Sequence, residues 1–188
     1  MKKILLIMLA VLFVSGCSSI AVVPDTINTM SHNTNKIHSG EMYATEANLN
    51  ISAGDTIYLK GFSNNSIHLI QRNIYATTTG NNLNYEIRLY ENGSDTSTNS
   101  ILLDNYNLER NYNDNSNFQI YTNVSNVDLT SATLLPFGSK TLSDKKFSSF
   151  TTRDIEYILK ENTNYYLSIT NNDGGVLSIN IFWEFYEE

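Results

Sequence analysis

Few residues of this 188-residue sequence could do chemistry, and those few are scattered. The single thiol is Cys17, directly after Val14-Ser15-Gly16. The three histidines, His32, His38 and His68, lack the close spacing of metal ligands, and a zinc site needs three or four converging donors. Glu86, Asp104, Glu109, Glu156 and Glu184 are the carboxylates that could pair as acid and base of a glycosidase. Most of them read as solvated residues on the polar face of strands. The sequence carries no G-x-S-x-G nucleophile turn, no phosphate loop and no dinucleotide fingerprint. The expectation is a protein without catalysis, without a metal site and without a bound cofactor.

The stretch Asp104–Asn117 (DNYNLERNYNDNSN) is dense in oxygen-bearing side chains of the kind that calcium takes, yet its spacing fits no EF-hand loop. It also mixes tyrosine with asparagine and serine, the composition of recognition loops. Tyr106, Asn107, Arg110 and Tyr112 are therefore the candidates for a binding loop, with Tyr121 nearby in sequence, and a protein or a glycan is the expected partner. The same tyrosines could instead pack over the edge of the fold.

Cys17 has a second context. Lys2 and Lys3 are followed by an unbroken apolar run, Ile4 to Val14, and then by small residues. A basic start, an apolar middle and a small-residue end make a secretory signal peptide. The apolar run falls short of the roughly 20 residues that span a bilayer. Val14-Ser15-Gly16-Cys17 resembles a bacterial lipobox. That resemblance implies cleavage between Gly16 and Cys17 and a covalent diacylglycerol, usually joined by an N-acyl chain, on Cys17. Several acyl chains anchor stably where one does not. Ser18 after the cysteine, with no aspartate retention signal, implies the outer membrane of a two-membrane cell envelope.

These signals divide the chain into a signal peptide (1–16), a lipidated cysteine with a flexible tether (17–36) and one folded domain (37–188). The tether reads SSIAVVPDTINTMSHNTNK after Cys17, enough to hold the domain about 25 Å off a surface. Losing Lys2 and Lys3 with the signal leaves ten basic against nineteen acidic residues, a formal charge of −9. Such a balance excludes nucleic acid, which rewards basic surfaces, and electrostatic docking on anionic lipid.

The domain reads as strands punctuated by asparagine. Thr56–Lys60 follows a turn at Gly54-Asp55. Ile67, Leu69 and Gln71 alternate with His68, Ile70 and Arg72, and Tyr85, Ile87 and Leu89 alternate with Glu86, Arg88 and Tyr90. An Asn92-Gly93 turn comes next, then short strands at Ile101–Leu103 and around Ile120. Val127 to Leu135 reads as one irregular strand. Asn164–Thr170 and Val176–Tyr186 flank the turn Asn171-Asn-Asp-Gly-Gly and read as strand and returning strand. In the second, Leu177, Ile179, Ile181, Trp183 and Phe185 share one face, and Ser178, Asn180, Phe182, Glu184 and Tyr186 the other. The expected fold is all-β, an antiparallel β-sandwich or jelly roll, behind an N-terminal signal helix.

Several residues carry a further resemblance: Ile37-His38-Ser39-Gly40, Tyr106-Asn107-Leu108-Glu109-Arg110, Ile155 to Tyr165 (IEYILKENTNY), Asn171-Asn172, and Phe182-Trp183-Glu184-Phe185. Over roughly residues 37–186 the chain resembles small β-sandwich proteins of tailed-phage structural modules, of the capsid-decoration or head-auxiliary kind. In that family the mid-chain motif has paired Asn-Arg residues; here Leu108 and Glu109 separate Asn107 from Arg110. The resemblance implies a non-catalytic structural domain and a possible homo-oligomer. Capsid assembly is cytoplasmic, so a secretion signal conflicts with it. Three readings follow: a prophage-derived envelope lipoprotein, a bacterial adhesion or scaffolding lipoprotein, or a virion protein.

Overall fold

The computed structural model describes residue 39 and residues 41–109, 115–136, 139–143, 147–152 and 157–188. The signal sequence with Gly16 and Cys17, the tether, His32, His38, Arg110 and Tyr112 lie outside the described residues.

Thirteen strands follow in order: β1 (Met42–Ile51), β2 (Thr56–Ser63), β3 (Ile67–Thr78), β4 (Leu83–Glu91), β5 (Ile101–Leu102), β6 (Asn105–Asn107), β7 (Gln119–Val124), β8 (Thr133–Leu134), β9 (Ser139–Ser143), β10 (Phe147–Thr152), β11 (Tyr157–Leu159), β12 (Thr163–Asn171) and β13 (Leu177–Glu187). They form two antiparallel sheets. One runs β10-β3-β13-β1-β6 with β11 also on β3; the other runs β5-β7-β2-β12-β4-β8 with β9 also on β4. The pairs β1/β2, β3/β4, β9/β10 and β12/β13 each put one strand in either sheet. That is the winding of a jelly roll. The described residues contain no helix, so the expected all-β sandwich is the fold observed.

The alternation of β13 builds the core. Leu177, Ile179, Ile181, Trp183 and Phe185 are all buried. Phe185 stacks on Tyr43 at 5.7 Å and meets Phe118 edge-on at 5.1 Å. From the facing sheet come Leu59, Tyr85, Ile87, Leu89, Leu167 and Ile169. Each large apolar side chain removed from water contributes about 1.5–3 kcal/mol. Asparagine supplies the turns: every non-glycine residue with positive φ among the described residues is one, namely Asn92, Asn123, Asn126 and Asn162.

Four expectations need correction. The two C-terminal strands are not hairpin partners. β12 pairs with β2 and β4, while β13 pairs with β1 and β3, so the turn between them crosses from one sheet to the other. The alternation of β3 does not run through. Register with β13 shifts between Glu184 and Phe185, leaving Ile70 unpaired in a bulge. Before it Ile67 and Leu69 are buried; after it Arg72, Ile74, Ala76 and Thr78 are, because one extra residue moves the following side chains to the opposite face. Tyr186 is buried despite its place in the polar set, stacked at 4.4 Å on His68, whose Nδ1 lies 2.9 Å from the phenol oxygen. Finally, Val127 to Leu135 is not one strand. Asp128 accepts hydrogen bonds from the amide (2.9 Å) and hydroxyl (2.7 Å) of Thr130 and turns the chain, leaving only an isolated Ser94–Asp128 bridge and the two residues of β8.

Asn171 ties the two crossings at one end together. It is fully buried, and its side-chain amide donates to the carbonyls of Ile51 (2.9 Å), Ser52 (3.1 Å) and Gly175 (2.8 Å). Its side-chain oxygen accepts the Asp173 amide at 2.9 Å. Replacing it with an apolar residue strands these buried groups at about 1–3 kcal/mol each. Asn171→Leu is therefore expected to lose several kcal/mol in chemical denaturation, more than Asn172→Leu next to it. Asn171→Asp faces carbonyl oxygens with a carboxyl, which raises the folded-state pKa. Its stability should then improve as the pH falls, the opposite of acid denaturation.

Candidate functional site

The residues expected to form a binding loop occupy an edge. Tyr106 and Asn107 belong to β6, which lies against β1 with Ala44 opposite Tyr106. Thr45 donates to the Asp104 carbonyl at 3.0 Å, Leu108 N–H to Met42 O at 2.9 Å, and the Asn105 amide to Phe118 O. Asn107 Oδ1 accepts the Glu109 N–H at 2.8 Å, a local turn contact. Tyr106 remains half exposed, and burial together with Glu46 and Glu184 pushes its phenol up. This segment is therefore held as a strand. Tyr121 sits on β7 in the other sheet, so Tyr106 and Tyr121 belong to different sheets. Glu86 and Glu184 lie in different sheets, and no cluster of three His, Cys, Asp or Glu able to hold a metal occurs among the described residues.

Two outer faces and one interior space remain. The interior space, about 50 Å³, lies between the sheets against Leu69, Leu89, Phe118, Leu167 and Trp183. It is far below the roughly 300 Å³ at which ligand pockets begin. The outer face of the β13 sheet holds a hollow of about 240 Å³ beside Asn48, Asn50, Tyr75 and Asn180. Its amides bond mainly one another: Asn180 donates to Asn48 (2.7 Å) and to Glu46, and Ser178 donates to Asn50 (2.7 Å).

The third space is a groove of about 390 Å³ on the outer face of the β12 sheet, bounded by Lys60, Phe62, Asp95, Ser97, Ser100, Gln119, Tyr121 and Asn164. Sheet register positions most of these. Tyr121, Lys60, Tyr166 and Tyr90 form one cross-strand row, and Gln119, Phe62 and Asn164 the next. Neighbours in such rows stand about 5 Å apart.

The β4–β5 connection completes the groove by folding over the sheet. A Cβ on Gly93 would meet the Tyr166 ring at 2.7 Å and Leu129 at 2.9 Å, so only glycine lets the chain lie this low. The connection brings Asp95 to Lys60 Nζ (2.7 Å) and to the Tyr166 hydroxyl (2.6 Å), both at Oδ2; Oδ1 accepts the Ser97 N–H at 3.1 Å. Burial would raise the Asp95 carboxyl, but the hydrogen bonds from Lys60, Tyr166 and Ser97 outweigh it and hold it well below the usual carboxylate range. Burial first, then Asp95, pushes the Tyr166 phenol up. Sequence reasoning missed this site because its residues come from four separate segments. The one available signal was the Asn92-Gly93 turn.

No protein-family model and no curated relative matches the chain. Solved structures that align weakly with the chain include the crystal structure of the T13 viral particle of infectious bursal disease virus, 10% identical over 78% of this chain and 39% of that one, with a TM-score of 0.22. The Gt strain of the same virus is 9% identical over 78% and 41%, with a TM-score of 0.20. The VP2 subviral particle is 10% identical over 78% and 41%, also with a TM-score of 0.20. The chain thus spans about two fifths of those chains, and a likeness of this size carries no inference about its function.

Two outcomes test the groove's construction. Gly93→Ala should destabilise by about 1–3 kcal/mol in denaturant titration, since the connection must lift from Tyr166. Asp95, with its folded pKa below the unfolded value of about 3.9, contributes stability above that pH and loses it on acidification. Asp95→Asn should lower the melting temperature at neutral pH and flatten its fall below about pH 4.

Proposed function

We propose that this chain is a lipid-anchored, non-catalytic binding module of the cell envelope. Cys17 would carry the lipid, residues 17–36 would give reach, and the jelly roll would present its groove to a partner in a protein or glycan. The observation that carries the reading is that groove: two half-buried aromatic rings, Phe62 and Tyr121, among amide, hydroxyl and charged groups, on a rigid sheet outside the core. Binding residues mounted on a rigid scaffold lose little entropy on engagement. The anchor is supported by the order of Lys2-Lys3, the apolar run and Val-Ser-Gly-Cys. The outer membrane and a prophage origin belong to the same reading.

A second reading is a capsid-decoration or head-auxiliary subunit of a virion. It is supported by the β1-β13-β3-β10 and β2-β12-β4-β9 winding, which viral capsid domains share with lectins and cupins, and by the resemblance over residues 37–186. Fold alone does not decide between them. Growth with a palmitate analogue does. The wild-type chain should take up label and sediment with membranes, and Cys17→Ser should do neither. An unlabelled wild type that co-purifies with virus particles as a symmetric oligomer would establish the second reading instead.

A further inference from the structure

We propose that the groove on the outer face of the β12 sheet is a site for a neutral saccharide, stacked on Phe62. The inference rests on the reading of the domain as a binding module and names its ligand class.

The argument is the charge and hydrogen-bonding capacity left around one apolar ring. Phe62 is half-buried at the centre of a row, with Gln119 on one side and Asn164 on the other. Its strand neighbour on the same face, Lys60, is neutralised by Asp95 at 2.7 Å, with side-chain exposures of 25% and 8%. The groove therefore carries both signs and no net charge. An anionic ligand would meet Asp95, and a cationic one Lys60. A neutral ligand faces neither penalty.

Unused capacity surrounds the ring. Lys60 has three N–H donors and commits one to Asp95. Gln119 accepts from the Tyr121 hydroxyl at 2.9 Å through Oε1, which leaves its NH₂ available. The side chains of Asn164 and Ser100 add an amide and a hydroxyl to the groove's lining. Donors and acceptors thus ring an apolar face. A pyranose has the complementary form: a C–H face that lies on an aromatic ring, and a rim of hydroxyls that each donate and accept. The volume, about 390 Å³, suits a small ligand. On the opposite sheet the Asn48–Asn180 network uses its amides internally, so that hollow offers less.

The test is saturation-transfer NMR on the full chain in detergent. The probes are methyl pyranosides of glucose, galactose, mannose and N-acetylglucosamine, their β-linked disaccharides, and glucuronic acid as the charged comparison. At least one neutral probe should receive saturation, strongest on the C–H protons of one ring face. Phe62→Ala should weaken its binding about tenfold. Gln119→Ala, an exposed position chosen because it leaves folding intact, should weaken it as well. Tyr75→Ala, on the other sheet, should not. Sedimentation with dextran and with chitin then separates a free sugar from a polymer as the source. Transfer to none of the neutral probes overturns the proposal, as does transfer to glucuronic acid alone or binding indifferent to both Phe62→Ala and Gln119→Ala. Loss of palmitate labelling would overturn the anchor and leave this result standing. Failure of the sugar panel, with labelling intact, would overturn the ligand class alone.

Discussion

The buried amide of Asn171 is the contact on which the winding depends. A jelly roll must carry its chain from sheet to sheet several times, and every crossing exposes backbone groups with no ladder partner. Here the β1–β2 and β12–β13 crossings meet at one end, because β1 pairs with β13 and β2 with β12. The Asn171 backbone closes the first crossing through Asp55 O (2.9 Å) and Gly54 N (3.0 Å), and its side chain spans both. Leucine, branched at the same carbon, would satisfy none of these groups. A buried polar residue is tolerated only when its hydrogen bonds are made, and here its side-chain amide finds three acceptors and its oxygen one donor.

That constraint also shapes the outer face of the β12 sheet. With β2 and β12 paired in register from this end, Lys60 and Phe62 stand at set intervals on the outside of the sheet. The β4–β5 connection then lies across Tyr166, and Gly93 is what allows the approach. Tyr166 and Asp95 become a buried post against which the connection is held, and Lys60 completes it from β2. The groove is the space left between this strap and β7. It is thus a consequence of how one connection crosses a sheet, and its aromatic rings are fixed by strand geometry.

The bulge at Ile70 shows a similar coupling. It lets Leu69 and Arg72 both face inward, and Arg72 then places its guanidinium 4.6 Å from the Tyr157 ring centre. Burial lowers the guanidinium pKa, with Tyr157 opposing the shift. Without the extra residue, Ile74 and Ala76 would point to solvent and the lower half of β3 would lose its share of the core.

The sequence by itself determined the class of fold. Period-two alternation in β4 and β13 marks the core face because side chains of a strand point to opposite sides, whatever the partner strand. Asparagine marked the turns, since its side chain stabilises positive φ locally. Only the tertiary structure decided which strands pair: NYYLSIT and VLSINIFWEFY look like a hairpin because hairpin and sheet-crossing turns use the same residues. Only it found the bulge, since an extra residue leaves no mark in a strand of mixed polarity. The serine- and threonine-rich β9 and β10 were equally silent. The groove was illegible for the same reason: Lys60, Asp95, Gln119 and Asn164 are joined by register and by one low-lying connection, and long-range pairing has no local signal.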